Sequence, residues 1–309
     1  MRAIEEIIAG RLTGELGQAA HHRHILTVFG LYARPAGVPI AVAAIVQLLQ
    51  DLGAEPASVR SSISRLKKRE VLISEHVKGE AGYALSPALE EHMRVGDERI
   101  FSPHPARVSD PWLLVSFSVP EAQRGQRHKI RSGLARMGFG VVGAGLCVAP
   151  GNVYDEALEY LQDNDLLQFV DFFHADHGGP KELRTKVAQW WDLDSLEAHY
   201  QEFIDKYSVL LGRWGDPAQQ TEAGSRAAFG DFIRMVTDWR ALPYLDPGLP
   251  AEALPESWKG GEARSLFLDL RARLSPLAGW HAQRVIHSAG APAGQGRTRQ
   301  AAGAAPATA

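Results

Sequence analysis

The chain has 309 residues, 45% of them hydrophobic and 22% charged, with a formal net charge of −3; that is the make-up of a globular protein of about two domains or a few small ones. The faintly acidic balance excludes a uniformly basic nucleic-acid coat, so any nucleic-acid site has to be a local patch, for which a few phosphate and base contacts suffice. The single cysteine, Cys147, excludes an intrachain disulfide and points to a reducing cytoplasm, and with no signal-peptide order at the start and no apolar run near the roughly 18 residues of a membrane span, a cytoplasmic location without a membrane partner is expected.

Residues 1–20 form an N-terminal extension that reads at most as a short amphipathic helix. From Ile25, Phe29 and Tyr32 the spacing predicts a helix ending before Pro35 and Gly37, and Val42, Ile45, Val46, Leu49 and Leu52 predict a second one after Pro39. Gly53 ends that helix, and AEPASVRSSISRLKKRE (54–70) follows as a basic helix, with Pro56 in its first turn, where a missing N–H costs nothing. Strand patterns at 71–78 and 83–86 flank the Gly-rich turn KGEAG, and a polar helix at about 87–95 closes a module spanning 21–98. Two helices joined by a tight turn and followed by a hairpin make a winged helix-turn-helix. Residues 99–111, with their prolines, form a linker.

The middle segment, 112–178, alternates WLLVSFSV, a basic helix, FGVVG, GLCVAP, a helix at 153–163 and LLQFVDFF. That order is the ferredoxin-like βαββαβ arrangement. Residues 182–288 carry helical spacing rich in aromatics, with helices expected at 221–240 and 262–286. A proline-rich loop between them is too long to be a plain connector. The tail, 289–309, is Ala, Gly, Pro, Gln and Arg without periodicity, a composition expected to stay disordered. The fold class is therefore α+β in three parts, a winged helix, a ferredoxin-like domain and an all-helical C-terminal domain.

The basic helix carries the chemistry. Val59, Ile63 and Leu66 recur at i, i+4 and i+7 and so share an inner side. Arg60, Ser61, Ser64, Arg65, Lys67 and Lys68 are left for the outer surface, and Lys78 falls near the tip of the wing. Taken alone, such a helix reads as a solvated face. Behind a first helix and a tight turn it reads as a major-groove reader, in which guanidinium groups bond guanine edges and hydroxyls or ammonium groups meet bases or phosphates. A double-stranded DNA operator is the partner this implies, and paired half-sites imply a homodimer.

VRSSISRLKKREVL with its hairpin, the strand after DPW and the late DPGLPAEALPESWKG together resemble the phenylacetic acid degradation operon repressor (PaaX) family over most of residues 24–280. Val59, Arg60, Ser64, Arg65 and Leu66 match its recognition-helix motif, and Asp246, Pro247, Leu249, Pro250, Leu254, Pro255 and Trp258 match its late element. The chain departs from the family pattern at Lys259-Gly260 and at Leu31. The resemblance implies a dimeric repressor of an aromatic-acid catabolic operon, released from DNA by an aryl-CoA thioester such as phenylacetyl-CoA, with no cofactor and no enzymatic activity. A thioester-processing enzyme with an appended winged helix is the alternative, and no catalytic constellation speaks for it.

Under that resemblance two groups are candidates for holding the effector. Arg124, Arg127, Lys129 and their neighbours crowd one helix, either as a solvated face or as a landing site for CoA phosphates or flanking DNA. Trp239, Arg240, Tyr244 and Trp258, near the proline-rich loop, either pack in a core or line an aryl pocket. The middle domain is also similar to the small metal-dependent nuclease of CRISPR systems. Its first strand ends Ser116-Phe117-Ser118-Val119 without the aspartate that enzyme uses, so a scaffold or dimer domain is expected. Gly138-Phe-Gly140-Val-Val-Gly143 matches G-x-G-x-x-G, but a helix precedes it and strand pattern follows, the reverse of a nucleotide-binding turn. His21, His22 and His24, and Asp171, His174, Asp176 and His177, fit no standard metal spacing, so no metal is expected.

Overall fold

The structure, a computed structural model, describes residues 16–178, 182–215 and 221–289; residues 1–15 of the extension and the expected disordered tail from 290 on lie outside them. Helix α1 (Leu16–Val28) widens into a π-helical turn at Phe29–Ala33 as it runs toward Pro35, which cannot continue it. Strand β1 (Ile40–Ala41), helix α2 (Val42–Gln50) and helix α3 (Pro56–Lys68) follow. Strands β2 (Leu72–Val77) and β3 (Glu80–Leu85) complete a sheet of order β1-β3-β2, antiparallel throughout.

The hairpin is tighter than the sequence suggests. Lys78 and Gly79 alone make the turn, at φ 51° and 86°. Two residues at positive φ are what a type I′ turn requires, and its twist matches that of the flanking strands. Glu80, Ala81 and Gly82 therefore pair with Val77, His76 and Glu75 rather than looping out. Gly82 is needed there because a Cβ would lie 2.9 Å from the carbonyl oxygen of Ile40. The closing helix α4 runs over Glu90–Phe101, beyond its expected end at 95, because Ile100 is buried in the core.

The middle domain comprises β4 (Trp112–Phe117), α5 (Arg124–Arg136), β5 (Gly140–Gly143), β6 (Leu146–Pro150), α6 (Tyr154–Asp163) and β7 (Val170–Ala175). Its sheet order, β5-β6-β4-β7 with antiparallel neighbours, is the split βαβ arrangement expected from the sequence. The last strand begins at 170 instead of 166, since Leu167–Phe169 form a 3₁₀ turn after the buried Leu166. Helices α7 (Leu183–Trp190), α8 (Leu193–Tyr207), α9 (Val209–Arg213), α10 (Glu222–Trp239), α11 (Leu242–Leu245) and α12 (Gly260–Ser288) build the C-terminal part. Asp192 splits α7 from α8 by accepting the backbone N–H of Ser195 at 3.1 Å, an N-cap.

The cores do not follow the three sequence segments. Ile25, Phe29 and Leu66 of the winged helix share one buried cluster with Phe229, Phe267 and Leu274 of the C-terminal helices. The middle domain closes a separate core around Leu113, Val115, Ile130 and Leu134. Between them lies a smaller seam in which Trp112 meets Trp190 and Trp191 at ring distances of 6.5 and 6.2 Å, backed by Val148, Leu249 and Ala253.

Candidate nucleic-acid interface

Helix α3 divides by side as its spacing predicts. Val59, Ile63 and Leu66 are buried, and so is Ser62. Arg60, Ser61, Ser64, Arg65, Lys67 and Lys68 are all exposed, and Arg69, which the sequence reading left out, joins them. No acidic residue lies within the helix, and three basic ones occupy its last turn, where they also suit the negative end of the helix dipole. Glu70, at φ 59°, reverses the chain into β2. Beneath the helix, burial lowers the pKa of His22, with Arg69 and Arg65 adding to the effect. The ring can thus sit neutral against the buried side of α3 without opposing its cationic surface.

The turn ahead of α3 is fastened to the C-terminal helices. Asp51, with a side chain 1% exposed, receives a guanidinium nitrogen of Arg226 at 2.6 Å and meets Nε2 of His281 at 2.7 Å. Burial would raise its carboxyl pKa, but the His281 hydrogen bond and the Arg226 charge outweigh that and hold it below the ordinary carboxylate range. Arg234 donates to the carbonyl oxygen of Leu52 at 3.0 Å. None of these partners lies near Asp51 in sequence, so spacing could not reveal them. One signal was available, since an aspartate at the C-cap of α2 sits at the helix end that repels negative charge, and such a residue needs a partner.

The wing behaves differently from expectation at its tip. Lys78, expected to reach a phosphate, donates to the backbone oxygen of His287 at 3.4 Å, near the end of α12. The remaining expected DNA-facing side chains stay together on one helix face.

The two expected effector groups are not brought into an open site. Trp239 is 2% exposed, stacks on Phe267 at 4.6 Å and donates its indole N–H to the carbonyl of Ile100 at 3.1 Å. Arg240 is likewise buried, and burial draws its guanidinium down to about 10, with Arg23 adding to the shift. Both are buried in the core, and Arg240, at the C-cap of α10, also lines a small cavity with Asp97 and Ile100. Tyr244 is half-buried with the Arg99 guanidinium 5.0 Å from its ring centroid, and Trp258 is half-buried edge-on to Tyr200 at 5.7 Å. Arg124, Arg127 and Lys129 ride exposed on α5, whose inner side belongs to the middle domain's own core.

The late motif has a structural explanation. Asp246 accepts the Tyr200 hydroxyl at 2.6 Å and the Gly248 backbone N–H at 2.8 Å, and Leu249 is buried in the tryptophan seam. Gly138 of the G-x-G-x-x-G string sits against the same loop, where a Cβ would come within 3.1 Å of Pro247. Its role there is close packing at φ 90°, at the end of α5. Among the described residues no group of three or more His, Cys, Asp or Glu is placed to hold a metal ion, and no helix is long and apolar enough to cross a membrane.

Comparisons with known proteins match this layout segment by segment. The model described as PaaX-like protein matches residues 22–89, that of the PaaX protein central Cas2-like domain matches 105–187, and that of the PaaX-like protein C-terminal domain matches 191–284. The transcriptional repressor PaaX of Escherichia coli (strain K12) is 24% identical over 257 residues, covering 82% of this chain and 80% of that protein. An uncharacterized protein from Mycobacterium tuberculosis has a similar fold, with a TM-score of 0.56 at 21% identity, over 84% of this chain and 97% of its own.

Proposed function

This chain belongs to the PaaX family, and from that premise we propose that it is a transcriptional repressor whose α3 reads the major groove of an operator. The observation that carries the reading is the clean division of α3, with Val59, Ile63 and Leu66 buried and its arginines, lysines and two of its serines exposed. A helix anchored on one side and cationic on the other is what groove insertion demands. The regulated genes are those of an aromatic-acid, phenylacetate-type catabolic pathway. The protein acts in the cytoplasm as a homodimer on paired half-sites, and an aryl-CoA thioester releases it.

Release requires the effector to bind the DNA-free geometry more tightly than the DNA-bound one, and DNA must then weaken effector binding by the same factor. The fastening of the Asp51–Leu52 turn to α10 and α12 supports this, because a shift of those helices moves the lead-in to α3. The middle domain, lacking a carboxylate at the end of β4, serves as a scaffold between copies. The test is a gel shift on the DNA upstream of the protein's own gene, titrated with a panel of aryl- and acyl-CoA thioesters. A retarded band that an aryl-CoA abolishes supports the proposal. A band indifferent to every thioester removes the effector, and no band at all removes the operator.

A further inference from the structure

An open cleft of about 720 Å³ lies against the helix-turn-helix turn, walled by Asp51 on one side and by α10 on the other. Helix α10 presents Arg226, Gly230 and Arg234 to it at i, i+4 and i+8, one face of a helix. Gly230 keeps the floor low, since a Cβ there would lie 3.1 Å from the Arg234 guanidinium and 3.9 Å from the Asp51 carbonyl oxygen. Arg213 adds a third guanidinium, held at 3.2 Å by Asp231, which also accepts the indole N–H of the buried Trp214 at 3.0 Å. These three arginine side chains are 42–57% exposed. Two of the acids are less available, with Asp51 and Asp231 at 1% and 17%, while Glu222 is 69% exposed and bridged to Arg284 at 2.5 Å. Each guanidinium carries five N–H donors in a planar fork, more than the contacts above consume.

We propose that this cleft is a binding site for a small molecule bearing phosphate groups, and that the ligand acts by drawing Arg226 from Asp51 and Arg234 from the Leu52 carbonyl. The inference rests on the repressor reading only for its consequence, since the site itself is argued from the cleft. A phosphate offers three acceptor oxygens and more charge than either protein acceptor, and guanidinium pairs with it bidentately. Both displaced contacts fasten the turn that leads into α3. Ligand and operator thus compete for the setting of one turn. Beyond Glu222 the Arg284 guanidinium lies 4.9 Å from the ring centroid of Trp280, which is 50% exposed. That indole offers a stacking surface for a planar ring joined to the phosphates.

The test uses the full chain without DNA, titrated by calorimetry with coenzyme A and, separately, with inorganic pyrophosphate. Saturable binding of at least one probe is expected, weakened about tenfold or more in the Arg226→Gln/Arg234→Gln double variant. Gly230→Ala provides a second variant, because it keeps every charge, favours the helix and sets a methyl on the cleft floor to which the Arg234 head has to yield. It too should weaken binding, and it decides the matter if the double variant does not fold. Wild-type protein that binds neither probe overturns the site, as does a folded variant that binds as tightly as wild type. A gel shift on the same samples separates the two readings. Probe binding through these arginines without operator binding sinks the repressor and keeps the site, and operator binding without probe binding does the reverse.

Discussion

The winged helix and the C-terminal helices bury Phe29, Phe229 and Phe267 in one core, whereas the middle domain closes its own around Leu113, Ile130 and Leu134 and joins the rest along a tryptophan seam. The chain thus leaves its first body after Phe101 and returns to it at Leu196. The difference teaches where a signal can travel. A shift in α10 or α12 reaches the turn before α3 through Asp51, His281 and Arg226, while a change inside the sheet domain acts through the tryptophan seam and the Arg99–Glu156 pair.

Core truncation breaks this comparison most forcefully. Phe267→Ala, which removes a ring stacked on Trp239, should cost about 3–5 kcal/mol. Amide hydrogen exchange should speed up in the winged helix and the C-terminal helices together. Leu134→Ala in the middle domain should cost about 2–5 kcal/mol, with faster exchange concentrated between residues 112 and 175. Exchange that rises across the whole chain in both variants would show one core in place of two.

The fastening at the turn gives a smaller effect. Asp51→Ala removes an acceptor of two hydrogen bonds from charged or ring nitrogens and should lower unfolding free energy by about 1.5–3 kcal/mol, read from urea midpoints. A loss within 0.5 kcal/mol would mean that the link between α2 and the helical body is decorative. Arg65→Ala acts on the exposed side of α3, and its effect is read on the operator. Operator affinity should drop by about 1–3 kcal/mol with relaxed specificity if the side chain reads a base, or evenly across sequences if it meets only phosphate.

Acid sharpens the comparison further. Burial, aided by Arg23 and Arg234 and opposed by Asp238, draws His24 on α1 down to about 4 from an ordinary 6.5. The unfolded chain therefore takes up the proton first, so this contribution to stability is complete above pH 6.5 and declines as pH falls toward 4. Asp51, held below its ordinary 3.8, begins to lose its own contribution only under that value. Urea midpoints measured from pH 7 to 4 should decline in the first body, and His24→Gln should flatten that slope.

Much of this was legible in the sequence. The i, i+4, i+7 spacing of Val59, Ile63 and Leu66 is purely local, and so is the strand–helix order of the middle domain. The two-residue turn at Lys78-Gly79 was misread because a string of glycines hides which one takes the positive φ. The shared core stayed hidden because periodicity shows that Phe29 and Phe267 face inward, not that they face each other. The same holds for Trp239, whose aromatic character fits a ligand pocket and a core equally until the packing against Phe267 is seen. The arginine cleft is assembled from α9, α10 and a turn more than 160 residues away, so no motif announces it.

The central claim is that the exposed face of α3 grips a duplex, and a salt titration tests it most directly. Operator affinity of wild type and of the Arg60→Ala/Arg65→Ala variant, followed by fluorescence anisotropy from about 50 to 200 mM salt, should give a steep negative slope for the wild type. The variant slope should be shallower by about one for each phosphate contact removed, or affinity should fall at the cognate sequence alone where bases were read. Identical affinities and slopes for the two proteins would contradict it.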